Sequence, residues 1–104
     1  MGTLNSHAFE YCIKLSYIEF KSSLVDIGSY CFQHCYNLQN LTFPKSVKYI
    51  NSFSFSHCSS VNNISFSTGL YYIYDNPFEY CTALDKIIIK NAPVSIMICL
   101  PILL

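Results

Sequence analysis

The sequence has little charge, little glycine and no tryptophan, and these shortages exclude whole classes of protein. Lys and Arg number six in 104 residues, against six Asp and Glu, and no basic run exists that could neutralise a row of phosphates. Nucleic acid is therefore not an expected partner. Only three glycines are present and none forms a phosphate-binding loop, nor does any serine stand in the sharp turn of a hydrolase nucleophile. We expect no enzymatic activity, no catalytic residue and no cofactor.

The two ends also lack recognisable targeting signals. Residues 1–11 have no basic start followed by an apolar run, which a secretory signal needs. Residues 92–104 are almost wholly apolar, but this stretch is well short of the ~20 residues that span a bilayer. Neither a signal peptide nor a full transmembrane segment is visible.

What the sequence does have is a repeat. Hydrophobic residues make up 52% of the chain, with 9 Tyr and 8 Phe, so a core can form. Phe9, Phe32, Phe55 and Phe78 stand 23 residues apart, and each opens the phrase F-x-x-C-x-x-[LV]-x-x-[IL]-x-[FI]. A fixed period of this length is typical of a solenoid, in which each unit buries its apolar edge against the next.

The spacing inside one unit predicts its local structure. F-x-x-C-x-x-L steps by three, which favours a short helical or 3₁₀ turn. The following part, such as Leu41-Thr42-Phe43, steps by two and predicts a short strand. A half-phrase before each Phe, such as Val47-x-x-Ile50, predicts a second extended piece that closes the coil. The fold class is thus an α/β repeat solenoid, with one short strand ladder and short helical turns in each 23-residue coil.

Four such units fill residues 1–92, as coils 1 to 4 with the bounds 1–23, 24–46, 47–69 and 70–92. Residues 93–104 lose the pattern and form either a divergent partial fifth repeat or an apolar tail. The ends of such an array expose apolar edges, so we expect self-association through these uncapped ends.

The phrase Ser46-Val47-x-x-Ile50, followed by Phe55-x-x-Cys58-x-x-Val61-x-x-Ile64, resembles the BspA-like leucine-rich repeat family over residues 1–96. The family's Gly after Ile survives only as Gly28. The resemblance implies a right-handed leucine-rich-repeat array without catalysis. It also implies adhesion or protein binding in a surface-antigen type of protein at the cell surface or outside the cell; a cytoplasmic location is the alternative.

The repeated Phe and Cys columns are expected to form the structural core. A small buried thiol suits the inside of a coil, and side chains in stacked parallel coils point the same way, which does not favour disulfides. The string from Cys31 to Cys35 includes His34, but the histidine column also holds tyrosine, a poor zinc ligand, so we expect no metal. The expected core residues are Phe9, Cys12, Phe32, Cys35, Phe55, Cys58, Phe78 and Cys81.

Tyr11, His34, His57 and Tyr80 share another column, which predicts an exposed or half-exposed aromatic stripe.

The solvent side of the strand ladder is the candidate binding face, because no core constraint fixes its residues. Asn40-Leu41-Thr42 and Asn63-Ile64-Ser65 are also acceptor sequons, which makes Asn40 and Asn63 candidate glycosylation sites. The candidate face consists of Tyr17, Glu19, Asn40, Thr42, Asn63, Ser65 and Lys86.

Three hypotheses for function follow. The first is a non-enzymatic protein-interaction or adhesion module, whose partner is an unknown protein of the host or the extracellular space. The second is a structural spacer or truncated repeat fragment without a ligand of its own. The third, which the spacing of the cysteines disfavours, is a cysteine-based metal or redox protein.

Overall fold

The backbone of the chain forms two parallel sheets on a solenoid. The computed structural model describes residues 2–67 and 69–89. One sheet has the strand order β1-β2-β4-β6 and the other β3-β5-β7, so coils 2 to 4 each cross from the first sheet to the second. The strands are β1 (Gly2–Leu4), β2 (Leu24–Ile27), β3 (Asn40–Thr42), β4 (Tyr49–Ile50), β5 (Asn63–Phe66), β6 (Tyr72–Ile73) and β7 (Lys86–Ile89).

Apart from a one-residue shift at Gly2, which pairs with Leu24, the register of both sheets equals the 23-residue period of the sequence. Asn40 pairs with Asn63, and Asn63 pairs with Lys86. Ile27 pairs with Ile50 in the first sheet. The predicted strand and the predicted second extended piece are both confirmed, and together they make two ladders where the sequence pattern favoured one. Residues 18–20 of coil 1 align with the predicted strand Leu41-Thr42-Phe43 of coil 2, but they do not form a strand in the structure.

The predicted helical turns are not found: residues 2–67 and 69–89 contain no helix. The F-x-x-C segments are successive tight turns, with hydrogen bonds such as Cys12 N–H to Phe9 O at 3.2 Å. Two residues in each coil have positive φ, which a right-handed helix excludes. These residues recur every 23 positions and are His7, Tyr11, Tyr30, His34, Phe53, His57, Asn76 and Tyr80.

Because two residues of each turn have positive φ, backbone N–H groups of the turn can donate to carbonyl groups of the next coil. The N–H of Phe32 donates to Ser54 O at 2.7 Å, and the N–H of His34 donates to Ser56 O at 2.9 Å, both in the next coil. The corresponding pair joins the following coil, where the N–H of Phe55 donates to Pro77 O and the N–H of His57 donates to Glu79 O, both at 2.8 Å. An α-helix would use these donors within itself. The turns therefore form a third ladder between coils, alongside the two sheets.

Two columns of phenylalanine fill the core. Phe9, Phe32, Phe55 and Phe78 stack with ring centroids 5.2, 5.0 and 5.4 Å apart. Phe20, Phe43 and Phe66 form a parallel stack at 5.2 and 5.3 Å. The two stacks meet edge to face, as between Phe43 and Phe55 at 5.8 Å. Aromatic rings prefer these offset and edge-on arrangements, which add to the free energy gained by burial.

The core is less complete in coil 1. Phe32, Phe55 and Phe78 are at most 1% exposed, but Phe9 is 36% exposed and Cys12 is only half-buried. The sequence pattern predicts Phe9 for the core, and the structure differs because, within the described residues, its coil has a neighbour on one side only.

One glycine is explained by close approach of two coils. A Cβ at Gly28 would lie 2.7 Å from both Leu4 O and Ser6 N of coil 1. The Gly28 N–H donates to Leu4 O at 2.8 Å. A side chain here would push coil 2 off coil 1 and break that bond, which accounts for glycine at this place.

We predict that Phe55→Ala lowers the free energy of unfolding by about 3–5 kcal/mol, because it leaves a cavity in the middle of a fully buried ring stack. Urea denaturation of the purified chain measures the change. Phe9→Ala removes the same side chain from the same column where it is partly exposed, and we expect a smaller loss. Equal losses for the two variants would contradict the burial gradient along the stack.

Candidate functional site

The outer surface of sheet β3-β5-β7 brings the predicted binding residues together. Asn40, Thr42, Asn63 and Lys86 are exposed, and Ser65 is half-buried. Between them Leu41 and Ile64 point into the core and are 1% exposed. This alternation follows from the pleat of a strand. We call the outer surface the ladder face: Tyr17, Glu19, Asn40, Thr42, Asn63, Ser65 and Lys86.

The two asparagines at the centre of the ladder face bind each other. Asn63 Nδ2 donates to Asn40 Oδ1 at 3.2 Å. Each carboxamide carries two N–H donors and a carbonyl that can accept twice, so one mutual bond leaves both side chains with capacity to bind a ligand. The bond also holds the two amides in a fixed arrangement, which lowers the entropy lost on binding.

Two shallow depressions lie side by side on the ladder face. One, of about 320 Å³, is lined by Asn40, Thr42, Asn63, Ser65 and Lys86 together with Ile88. The other, of about 300 Å³, continues from Asn40 and Thr42 to Tyr17 and Glu19. The shared residues Asn40 and Thr42 make them one continuous surface. Tyr17, which is 71% exposed, offers an aromatic ring at its coil 1 end.

The charged residues of the ladder face lie at its ends. Glu19 is in coil 1 and Lys86 in coil 4, and the positions between them are uncharged. Such a surface recognises a partner by shape and hydrogen bonds more than by long-range electrostatic steering.

A tyrosine cluster on the other sheet was not predicted from the sequence. Tyr71, Tyr72 and Tyr74 are 63%, 38% and 44% exposed. Tyr72 and Tyr74 are in edge-on contact at 4.7 Å, and Tyr49 contacts Tyr71 at 5.9 Å. The sequence feature that could have indicated this exposed cluster is the run Tyr71-Tyr72-Ile73-Tyr74, in which only Ile73 belongs to a core column.

The predicted aromatic stripe is a continuous stack of rings, which we call the ring stack: Tyr11, His34, His57 and Tyr80. Their centroids are 4.4, 4.6 and 4.6 Å apart. Tyr11 and Tyr80 are about 60% exposed (59% and 61%), and the histidines are half-buried. A second stack, which the sequence reasoning missed, joins His7, Tyr30 and Phe53 at 5.0 and 5.3 Å. All but one of the positive-φ residues carry these rings, so the turn geometry creates both stacks.

The thiols of the repeated cysteines donate hydrogen bonds to backbone carbonyl groups of the preceding coil. The thiol of Cys58 donates to Phe32 O in the preceding coil at 3.0 Å, and that of Cys81 donates to Phe55 O at 3.2 Å. The cysteines among the described residues are free thiols, and those residues hold no group of three or more His, Cys, Asp or Glu side chains placed to bind a metal ion. Cys99 lies outside the described residues.

Burial disfavours the thiolate form of Cys31 and Cys81. It raises the pKa of Cys81 to about 12 and that of Cys31 to about 11. The thiolate is the reactive form of cysteine, so the arrangement is that of structural thiols.

The coil 1 end of the solenoid has an apolar groove of about 270 Å³. Its apolar lining includes Leu4, Phe9, Ile18, Phe20 and Leu24. This is the edge at which the sequence predicts self-association, and that remains a prediction.

The chain was compared with known families and structures. A family model described as BspA type leucine rich repeat region (6 copies) matches residues 1–97. The chain belongs to the BspA-type leucine-rich repeat family. No curated protein matches it significantly.

Two solved structures are similar to this BspA-type chain. A leucine-rich repeat protein from Bacteroides ovatus is 30% identical with a TM-score of 0.79, over 82% of this chain and 22% of that one. A leucine rich cell surface protein from Faecalibacterium prausnitzii is 21% identical with a TM-score of 0.68, over 91% of this chain and 32% of that one, and supports the fold alone. The chain thus spans less than a third of either protein.

Among the residues that the structure describes, no helix is long and apolar enough to cross a membrane.

We predict that the buried thiols react slowly with a disulfide reagent in the folded protein. A Cys99→Ser variant is used, so that only the cysteines of the described residues remain. The reaction is followed at pH 8 by the absorbance of the coloured thiolate that the disulfide reagent releases when a protein thiol attacks it. We expect Cys31 and Cys81 to react at least about tenfold faster in urea than in buffer, because unfolding removes the burial that disfavours their thiolate forms. The native rate should also rise with pH up to about 11, the pKa of Cys31. Fast native reaction of all five thiols would contradict a structural role.

Proposed function

We propose that this BspA-type chain is a non-enzymatic protein-interaction module of the adhesion type, and that it binds its partner through the ladder face. The observation that carries the proposal is the continuous surface from Tyr17 to Lys86, which spans all four coils and places hydrogen-bonding side chains among apolar ones. Repeat proteins use such extended surfaces for recognition, because stacked coils present outward side chains at a regular spacing.

The composition of the ladder face supports a protein partner. It combines an exposed tyrosine with asparagine, threonine and serine, which is the mixture that antibody paratopes use: an aromatic anchor with adaptable hydrogen-bonding groups. Neighbouring strands lie about 4.8 Å apart, so the paired amides of Asn40 and Asn63 can contact one partner segment together.

The comparisons support a location outside the cell. The F. prausnitzii relative is described as a cell surface protein, and the family model covers nearly all of this chain. We therefore propose that the module lies at the cell surface or in the extracellular space.

A spacer without a ligand is the second candidate. It is favoured by the stacked phenylalanine columns, which run through all four coils and stiffen the solenoid. The two candidates differ in whether the ladder face contacts anything.

We predict that Asn40→Arg with Asn63→Arg reduces binding of the chain to target cells at least about tenfold, since two bulky cations replace the paired amides at the centre of the face. Biotinylated chain, made tetravalent on streptavidin, is measured on epithelial cells by flow cytometry. Trypsin treatment of the cells should abolish binding, whereas removal of glycans should not, if the partner is a protein.

Ser59→Arg with Thr82→Arg is the matched control. These two exposed turn residues also stand 23 positions apart, so the variant has the same added charge away from the ladder face. Equal binding by both variants and the unchanged chain would exclude the ladder face as the contact, and no binding above background by the unchanged chain would favour a spacer.

We also predict that brief protease treatment of intact source cells releases peptides that span Asn40 and Asn63, as identified by mass spectrometry. An unmodified mass at both residues fits an open ladder face. A glycan on either asparagine would cover the proposed contact surface and exclude it. Release only after lysis would contradict a surface location.

A further inference from the structure

The ring stack places two ionisable imidazoles face to face on the surface. The planes of His34 and His57 are 17° from parallel, and their centroids lie 4.6 Å apart. Tyr11 covers the other face of His34, and Tyr80 covers the other face of His57. The pair is therefore enclosed between two tyrosine rings.

The backbone fixes the spacing of the two imidazoles. Both histidines have positive φ, 62° and 61°, which sets the direction of their side chains. The N–H of His34 donates to Ser56 O at 2.9 Å, and that of His57 donates to Glu79 O at 2.8 Å. Coils 2 and 3 are thus joined next to the rings, and the rings cannot separate freely while these bonds persist.

The groups around the pair are mostly uncharged. The Tyr36 hydroxyl (Oη) lies 2.9 Å from His34 Nδ1, and the Tyr36 ring contacts the His34 ring edge-on. Glu10 and Glu79 precede the two tyrosines of the stack in the chain. Glu10 is engaged with His7 at 2.9 Å, which is the one ion pair among residues 2–67 and 69–89.

One positive charge and two positive charges would meet different surroundings in this stack. A single imidazolium is attracted to the faces of neighbouring aromatic rings, and the Tyr36 hydroxyl can accept a hydrogen bond from protonated Nδ1. A second proton brings two positive charges to the spacing of the rings, where like charges repel strongly. No carboxylate in the described region contacts either ring to offset that repulsion.

We propose that the stacked pair of His34 and His57 is an acid-sensitive contact between coils 2 and 3. The stack persists with one proton bound, and the second proton separates the rings and weakens the contact. This inference does not depend on the proposed binding function.

The direction of the effect follows from proton binding. Imidazole ordinarily gains its proton near pH 6.5. Two charged rings held 4.6 Å apart repel each other in the folded chain, whereas the same two side chains are not held together in the unfolded chain. Charging both rings therefore costs more free energy in the folded state, so stability decreases as the pH falls through this range.

The repeat itself supplies the test variants. Coils 1 and 4 carry tyrosine in the same column, so His34→Tyr and His57→Tyr each remove one charge and keep a ring in the stack. Thermal unfolding of the full chain is measured at pH 7.5 and pH 5.0. We expect the unchanged chain to lose about 5 °C more than either variant between the two pH values, which is the shift typical of a modest stability change in a domain of this size.

His7→Gln serves as the control, because it removes the remaining histidine from outside the ring stack. It should keep the larger pH-dependent loss. An equal loss of Tm in the unchanged chain and in both tyrosine variants would overturn the proposal. One folded tyrosine variant is sufficient for this comparison.

A measurement on the unchanged chain is independent of the variants. Ring-current shifts in the NMR signals of Tyr11 and Tyr80 report the stack. We expect these shifts to diminish by pH 5 while the core methyl signals stay native. Full persistence of the shifts after both imidazoles are protonated would equally overturn the proposal.

Discussion

Hydrogen bonding between coils is the constraint on which the rest of this structure depends. A 23-residue coil without a helix cannot satisfy its own backbone, and buried polar groups that lack a partner are costly. The structure meets the requirement three times in coils 2 to 4, at the two sheets and at the turns, where Phe32 and His34 donate to Ser54 and Ser56. The cysteine thiols add a fourth link to the neighbouring carbonyls. Stacking of like residues is a consequence, because equal hydrogen-bond register places equal positions above one another.

Much of this architecture could be predicted from the sequence, since a period of 23 residues with steps of two and three marks the stacked columns. The helical turns were predicted wrongly for a physical reason. Apolar residues three apart are compatible with one helical turn and also with two consecutive tight turns, and only the sign of φ distinguishes them. Tyrosine and phenylalanine rarely adopt positive φ, so Tyr11 and Phe53 gave no sequence signal for the left-handed turns that the structure has.

The surface was harder to predict than the core, because outward positions are free to vary. The ladder face could be located since its residues lie between core positions of a recognisable strand. The tyrosine cluster around Tyr72 could not, because the first sheet was expected only as an extended closing piece. Its outward column passes from Asp26 to Tyr49 to Tyr72 along the array. The two sheets consequently present surfaces of different chemistry, one rich in amides and hydroxyls and one aromatic.

The shared register also limits how such a chain can change in length. Loss or gain of one residue inside a coil would shift every following position out of its column and misplace three hydrogen-bond ladders together. Duplication or deletion of a whole 23-residue unit leaves every column intact, since each coil presents the same donors and acceptors to its neighbours. Recombination between repeats is therefore tolerated where a single-codon insertion is not, and arrays of this kind can grow or shrink by whole coils while the faces they display diverge.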